Sequence, residues 1–208
     1  MPTPTETLDQ VIAAVAPLFA EHGYRKSART FVNLQEGVAR VVAFQTSQLK
    51  KPEEAKFTLG LQVTSVAFHE AYSGKAFPKN AGSAEPVVQV AIGRLMPDGE
   101  NVWWSLGPEV SPVLTAKDVE ALVRDPLLPF LARFPNETAL LKELERGEGL
   151  PGFGAMRERS RAVLLAKFGR KDEAGKVLTA LLEANAAEGL EGFRASVNEL
   201  ATRIGVRA

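Results

Sequence analysis

The sequence predicts an α+β protein: an N-terminal helix, an antiparallel β-meander of about five strands, and a helical C-terminal segment. Three observations predict it. Apolar residues recur at helical spacing from Leu8 to Phe19. From about residue 30 the period becomes 2, as in half-buried strands. After Pro112 it returns to helical spacing and stays there.

The first helix places Leu8, Val11, Ile12, Val15 and Phe19 on one face, with Thr5 or Thr7 as its cap and Gly23 just past its end. Pro17 should kink it, and His22 in the last turn suits the carbonyl end. "RTFVNL" and "VARVVAFQTS" read as two strands of a hairpin joined by "QEG". "KFTLGLQVTS" alternates strictly and is the third strand. A loop should span about residues 70–86. "PVVQVAIGRL" and "NVWWSL" form the fourth and fifth strands, with Pro-Asp-Gly turning the chain between them.

Further on, Thr115 followed by Asp118 has the form of a capping box, and that helix should end near Asp125-Pro126. Two short helices follow. The glycine-rich "GEGLPGFGAM" reads as a linker, which divides the chain into a sheet domain with its following helices, 1–148, and a helical segment, 149–208. In that segment Ala174, Val177, Leu178, Leu181 and Leu182 form one stripe, and Leu190, Phe193, Val197, Leu200 and Ile204 another. "AVLLAKFGRKDEAGKVLTALLEAN" has the form of one helix–turn–helix unit of the tetratricopeptide type. A lone unit cannot bury its own face, so it needs the sheet, a second copy or a protein partner.

Composition narrows the function classes. Lys plus Arg and Asp plus Glu are both 25, so the formal charge is zero, and a phosphate-backbone binder normally shows a basic excess. With no cysteine, disulfides, thiolate metal sites and cysteine nucleophiles are excluded. No apolar run reaches the length of a membrane span, and the N-terminal residues lack the pattern of a secretory leader. A cytoplasmic location is expected.

The familiar catalytic patterns fail on spacing. "GRKDEAGKV" has five residues between its glycines, where a phosphate loop has four, and Val177 where a hydroxyl is needed. "GLPGFG" precedes a helix but follows no strand, so it reads as linker. His22 and His69 do not form a metal spacing, no G-x-S-x-G occurs, and no cofactor or metal is expected. The cluster Arg25, Lys26 and Arg29 reads as a solvated connection.

The strands carry the more informative pattern. Val38, Val42, Phe44, Phe57, Leu59, Leu61, Val63, Val88, Val90 and Ile92 should face the core. The opposite face holds small residues (Ala39, Ala43, Gly60, Ala91, Gly93) and the glutamines Gln45, Gln62 and Gln89. Either helices lie close on the small residues, or the face is a shallow groove whose amides await a ligand. Adjacent Trp103 and Trp104 must point to opposite faces, one into the core and one toward the glutamine face or the sheet edge. Alternation does not say which. Arg94, near the end of the fourth strand, completes the set of candidate binding residues.

Several phrases along this stretch, "HGYRKSARTFVNL", "GVARVVAFQTSQ", "FTLGLQV" and "IGRLMPDGENVWWSL", resemble the bacterial family called domain of unknown function 4304. The resemblance covers about residues 8–110. It implies an α+β domain in a bacterial cytoplasmic protein and carries no activity and no catalytic residues. Ala28 stands where the family commonly has glycine. The leading expectation is a non-enzymatic binding or protein-interaction module, with the C-terminal helices as a surface for a partner or homodimer. An enzyme or small-ligand protein using the glutamine face, with His69 and Arg94, is the alternative. Single-stranded nucleic-acid binding through tryptophan, Arg40 and Arg94 is a third reading, and neutral charge disfavours it.

Overall fold

A computed structural model describes residues 2–47, 50–51, 53–147, 151–154, 156–186 and 189–208. The proposed boundary at 148/149 and the start of "GLPGFG" lie outside the described residues. The chain forms two compact units. One comprises residues 1–34, 39–62 and 89–133, the other 35–38, 63–88 and 134–208.

In the first unit, helix α1 (Pro4–Glu21) runs unbroken through Pro17. Its cap is Thr3, in a complete capping box with Glu6, so the sequence placed the cap a few residues late. The carboxylate of Glu6 sits below its ordinary range because the Thr3 backbone and hydroxyl donate to it. At the other end the His22 ring nitrogen Nδ1 lies 2.9 Å from the Leu18 carbonyl.

The sheet is antiparallel with six strands: β1 (Arg25–Ser27), β2 (Thr30–Gln35), β3 (Val38–Ser47), β4 (Lys56–Ser65), β5 (Val88–Ala91) and β6 (Trp104–Ser105). The order is β1-β2-β3-β4-β5, and β6 also pairs with β4. The fourth and fifth strands therefore do not form the expected hairpin. After Ala91 the chain turns through a 3₁₀ segment, Ile92–Leu95. There Gly93 is crossed by the Glu100 carbonyl, 1.8 Å from where a Cβ would stand. A side chain cannot fit, and the tight crossing brings β6 onto β4, Phe57 opposite Trp104.

All ten strand residues assigned to the core are buried. An aromatic ladder runs along this face. Phe19 of α1 stacks on Phe31 at 4.2 Å, and Phe44, Phe57 and Trp104 continue it at 6.0, 5.8 and 5.1 Å between successive rings. The four rings after Phe19 come from four different strands, so cross-strand packing and core burial reinforce one another. Helix α3 (Pro112–Leu122) packs against α1. Its cap is Ser111, not Thr115, and Thr115 is buried instead. The short α4 (Leu128–Leu131) follows.

The second unit includes α2 (Val66–Ser73), which falls partly within the stretch read as loop. Ser65 caps it and Gly74 ends it at φ +69. Helices α5 (Glu137–Arg146), α6 (Arg157–Lys167), α7 (Lys171–Ala184) and α8 (Glu191–Ile204) complete the unit. Helices α6 and α7 form the expected helix–turn–helix, with Gly169 at φ +82 in the turn. Among the described residues no helix is long and apolar enough to cross a membrane.

Candidate functional site

On the face of the sheet opposite the aromatic ladder, within the first unit, lies a shallow groove of about 260 Å³. Strands β3, β4 and β5 supply it. Ala43, Gly60 and Ala91 keep its floor low, and Gln45, Gln62 and Gln89 line it. The three glutamines singled out by alternation thus meet in one place. The strand period is the reason: positions two apart share a face, and neighbouring strands bring those positions side by side.

The face is covered at one end and open further along. Ala39 and Val41 are buried, whereas Gln45 and Gln89 are exposed and Ala43, Gly60 and Ala91 are half-buried. No charged side chain lines the groove. Among the described residues, the Gln45 and Gln89 amides make no hydrogen bond, while Gln62 is engaged by a partner. The Gln45 amide lies directly over Gly60, whose added Cβ would stand 2.5 Å from Nε2.

The tryptophan pair divides as the pleat requires. Trp104 stacks on Phe57 at 5.1 Å and closes the core ladder, half-buried. Trp103 points the other way and is 43% exposed. The Lys56 ammonium stands 5.0 Å over its ring. Lys56 and Gly60 are separated by an even number of strand positions, so Trp103 lies on the groove side of the sheet.

Arg94 is not part of the groove. It is exposed, and its Nη1 donates to the Gly99 carbonyl at 3.5 Å, bracing the turn whose Gly99 takes φ +66. Arg40 is buried on the opposite face and donates to Asn33 at 2.7 Å. Asn33 in turn donates to the His22 carbonyl at 3.0 Å. Beside this chain Tyr24 is buried at the end of the ladder. Desolvation pushes its hydroxyl up to about 12, with the nearby Arg40 charge acting weakly in the other direction.

His69, in the second unit, is engaged structurally. Its Nδ1 accepts from the Glu85 N–H at 3.1 Å and its Nε2 lies 3.3 Å from the Ser73 hydroxyl. A nitrogen accepting from a backbone amide holds the loop to α2. Sequence reasoning also missed Glu137, a buried carboxylate at the start of α5. It accepts from the Ser65 hydroxyl at 2.7 Å, the Ala67 N–H at 3.1 Å and the Lys167 ammonium. Gly37, at φ +80, leaves room for it. A hydroxyl that caps one helix while donating to a carboxylate on another is a structural clamp. Only the Asn136 cap ahead of Glu137 is visible in sequence, and it gives the helix start without the burial.

Groups of acidic and histidine side chains suited to a metal ion are absent among the described residues. The family model described as Domain of unknown function (DUF4304) matches residues 15–133. The chain belongs to this family. The DUF4304 match begins inside α1 and ends just after α4, so it contains every strand of the sheet and all six candidate binding residues. No curated protein and no solved structure matches the chain significantly.

Proposed function

We propose that this DUF4304 protein is a non-enzymatic binding module, and that the open sheet face takes a neutral, hydrogen-bonding ligand. One observation carries the reading: three glutamines line one uncharged groove over small residues, and two of their amides have no partner among the described residues. Exposed amides at a concave surface give orientation and specificity to a ligand without requiring charge. Trp103, half-exposed on the same side of the sheet, supplies the amphipathic area that recognition surfaces favour. The cytoplasm of a bacterium is the setting this reading assumes.

The test is an NMR screen of labelled protein against capped peptides and neutral fragments, with Ala91→Phe as the groove-filling control. The reading expects shifts in the Gln45 and Gln89 side-chain amides and the Trp103 indole, abolished in the variant. Shifts confined to residues 134–208 would overturn it.

A second reading has its own observation. Helices α6 and α7 leave a furrow of about 490 Å³ lined by Val177, Ala180, Leu181 and Ala184 and edged by Glu158, Arg161, Glu173 and Lys176. An apolar strip between mixed charges suits an amphipathic helix of a protein partner or a second copy. Nucleic-acid binding is weakened, because Arg40, one of its two arginines, is buried in the core network. The enzymatic alternative loses His69 to the loop clamp.

A further inference from the structure

Glycine inside a strand weakens it relative to alanine, because it orders a more flexible backbone and packs nothing. Gly93 has an architectural reason, a backbone carbonyl crossing over it. Gly60, in the middle of β4, has none of that kind. Its φ lies outside the left-handed region, and no backbone atom is among the three that a Cβ would meet first. Those three are Gln45 Nε2 at 2.5 Å, Cδ at 2.7 Å and Oε1 at 3.1 Å, the whole amide head of one flexible, exposed side chain.

That side chain makes no hydrogen bond among the described residues, so folding alone gives it no reason to lie there. A small gain in strand stability is forgone, and what is obtained is an amide lying over Gly60 in the groove. Local rules broken without structural compensation mark functional positions.

We infer that Gly60 is a positioning residue for the groove, leaving room for the Gln45 amide to lie where it pairs with the N–H and C=O of one residue of a bound extended peptide. The inference rests on the sheet-face reading above and deepens it. A primary amide offers a donor and an acceptor side by side, and an extended peptide presents the complementary acceptor and donor on one edge, as the C=O and N–H of a single residue. The absence of charge in the lining favours such a partner over a nucleotide, whose phosphate would bring a negative charge that nothing in the lining meets.

The test titrates labelled protein with N-acetylglycine N-methylamide and, separately, with uridine. The full-length wild type, Gly60→Ala, Gln45→Leu and the double variant Gly60→Ala/Gln45→Asn are compared. In the wild type the Gln45 side-chain amide signals should move saturably with the peptide. Gly60→Ala should fold with an equal or higher Tm, shift the free Gln45 amide signals, and bind about fivefold more weakly, the worth of one hydrogen bond. Gln45→Leu should lose the same amount, and the shorter Asn in the double variant should recover part of it. Unchanged affinity in Gly60→Ala overturns the positioning role and leaves the sheet-face reading standing. A Gly60→Ala chain that fails to fold makes the glycine architectural, which also overturns it. Stronger binding of uridine overturns the peptide assignment. No saturable shift in the wild type with either probe overturns the inference and the reading together.

Discussion

Two adjacent tryptophans carry opposite expectations. Trp104 stacks on Phe57 in the core ladder, and truncation of buried aromatics costs about 3–5 kcal/mol. Since Trp104 is half-buried, Trp104→Ala should lose about 2–3 kcal/mol in urea denaturation. Trp103→Ala removes an exposed ring and a cation–π contact with Lys56, so its loss should stay below about 1 kcal/mol. Comparable large losses would mean that both rings are core. Ala28 adopts φ 52 in the turn from β1 to β2, a conformation that costs an L-residue about 1–2 kcal/mol. Ala28→Gly should therefore raise stability by about 1 kcal/mol, and a drop in Tm would contradict that geometry. Tyr24 makes a pH prediction. Its hydroxyl is raised from 10.0 to about 12, so the folded state holds the proton more tightly than the unfolded chain. The associated stability is fully present below pH 10 and fades as pH rises toward about 12, by at most about 2–3 kcal/mol. Unfolding curves for Tyr24→Phe should lack that component, and an identical alkaline decline in both proteins would count against it.

Elements show where patterns suffice and where they fail. Strands β3 and β4 match the sequence reading residue for residue, because strict alternation in a half-buried sheet encodes both register and face. Helix α2 was missed, although Ser65 and Gly74 mark its ends, because its eight residues are too few to establish a helical period. The fourth strand stops early for a reason no local pattern carries: Gly93 is crossed by a carbonyl seven residues on. In the second unit, the Ser65 hydroxyl both caps α2 and donates to Glu137. Ser65→Ala should cost about 2 kcal/mol, the sum of a lost cap and a lost hydrogen bond to a buried carboxylate. A double-mutant cycle with Glu137→Ala should show coupling of about 1 kcal/mol, and additive losses would dissolve the clamp.

For the molecule as a whole, the fold class, the core face and the three groove glutamines were legible in sequence because all depend on the period of two. What was not legible depends on long-range geometry. Trp104 stood among the candidate binding residues because alternation does not say which tryptophan is outside, and Arg94 stood there beside it; the structure assigns Arg94 to a turn and Trp104 to the core ladder. Alternation already places Gly60 on the groove face, whereas Lys56 joins that side through its contact with Trp103, which no local window displays. The DUF4304 match confirms the family and contains the sheet, yet the C-terminal helices beyond residue 133 present a second surface of different chemistry. The measurement that decides between the two compares wild type, Ala91→Phe and Leu181→Glu by native mass spectrometry after mild purification from bacterial lysate. The sheet-face account predicts a bound peptide or protein on wild type and Leu181→Glu that is missing from a folded Ala91→Phe. A partner kept by Ala91→Phe and lost by Leu181→Glu would contradict it and move the binding function to the helices.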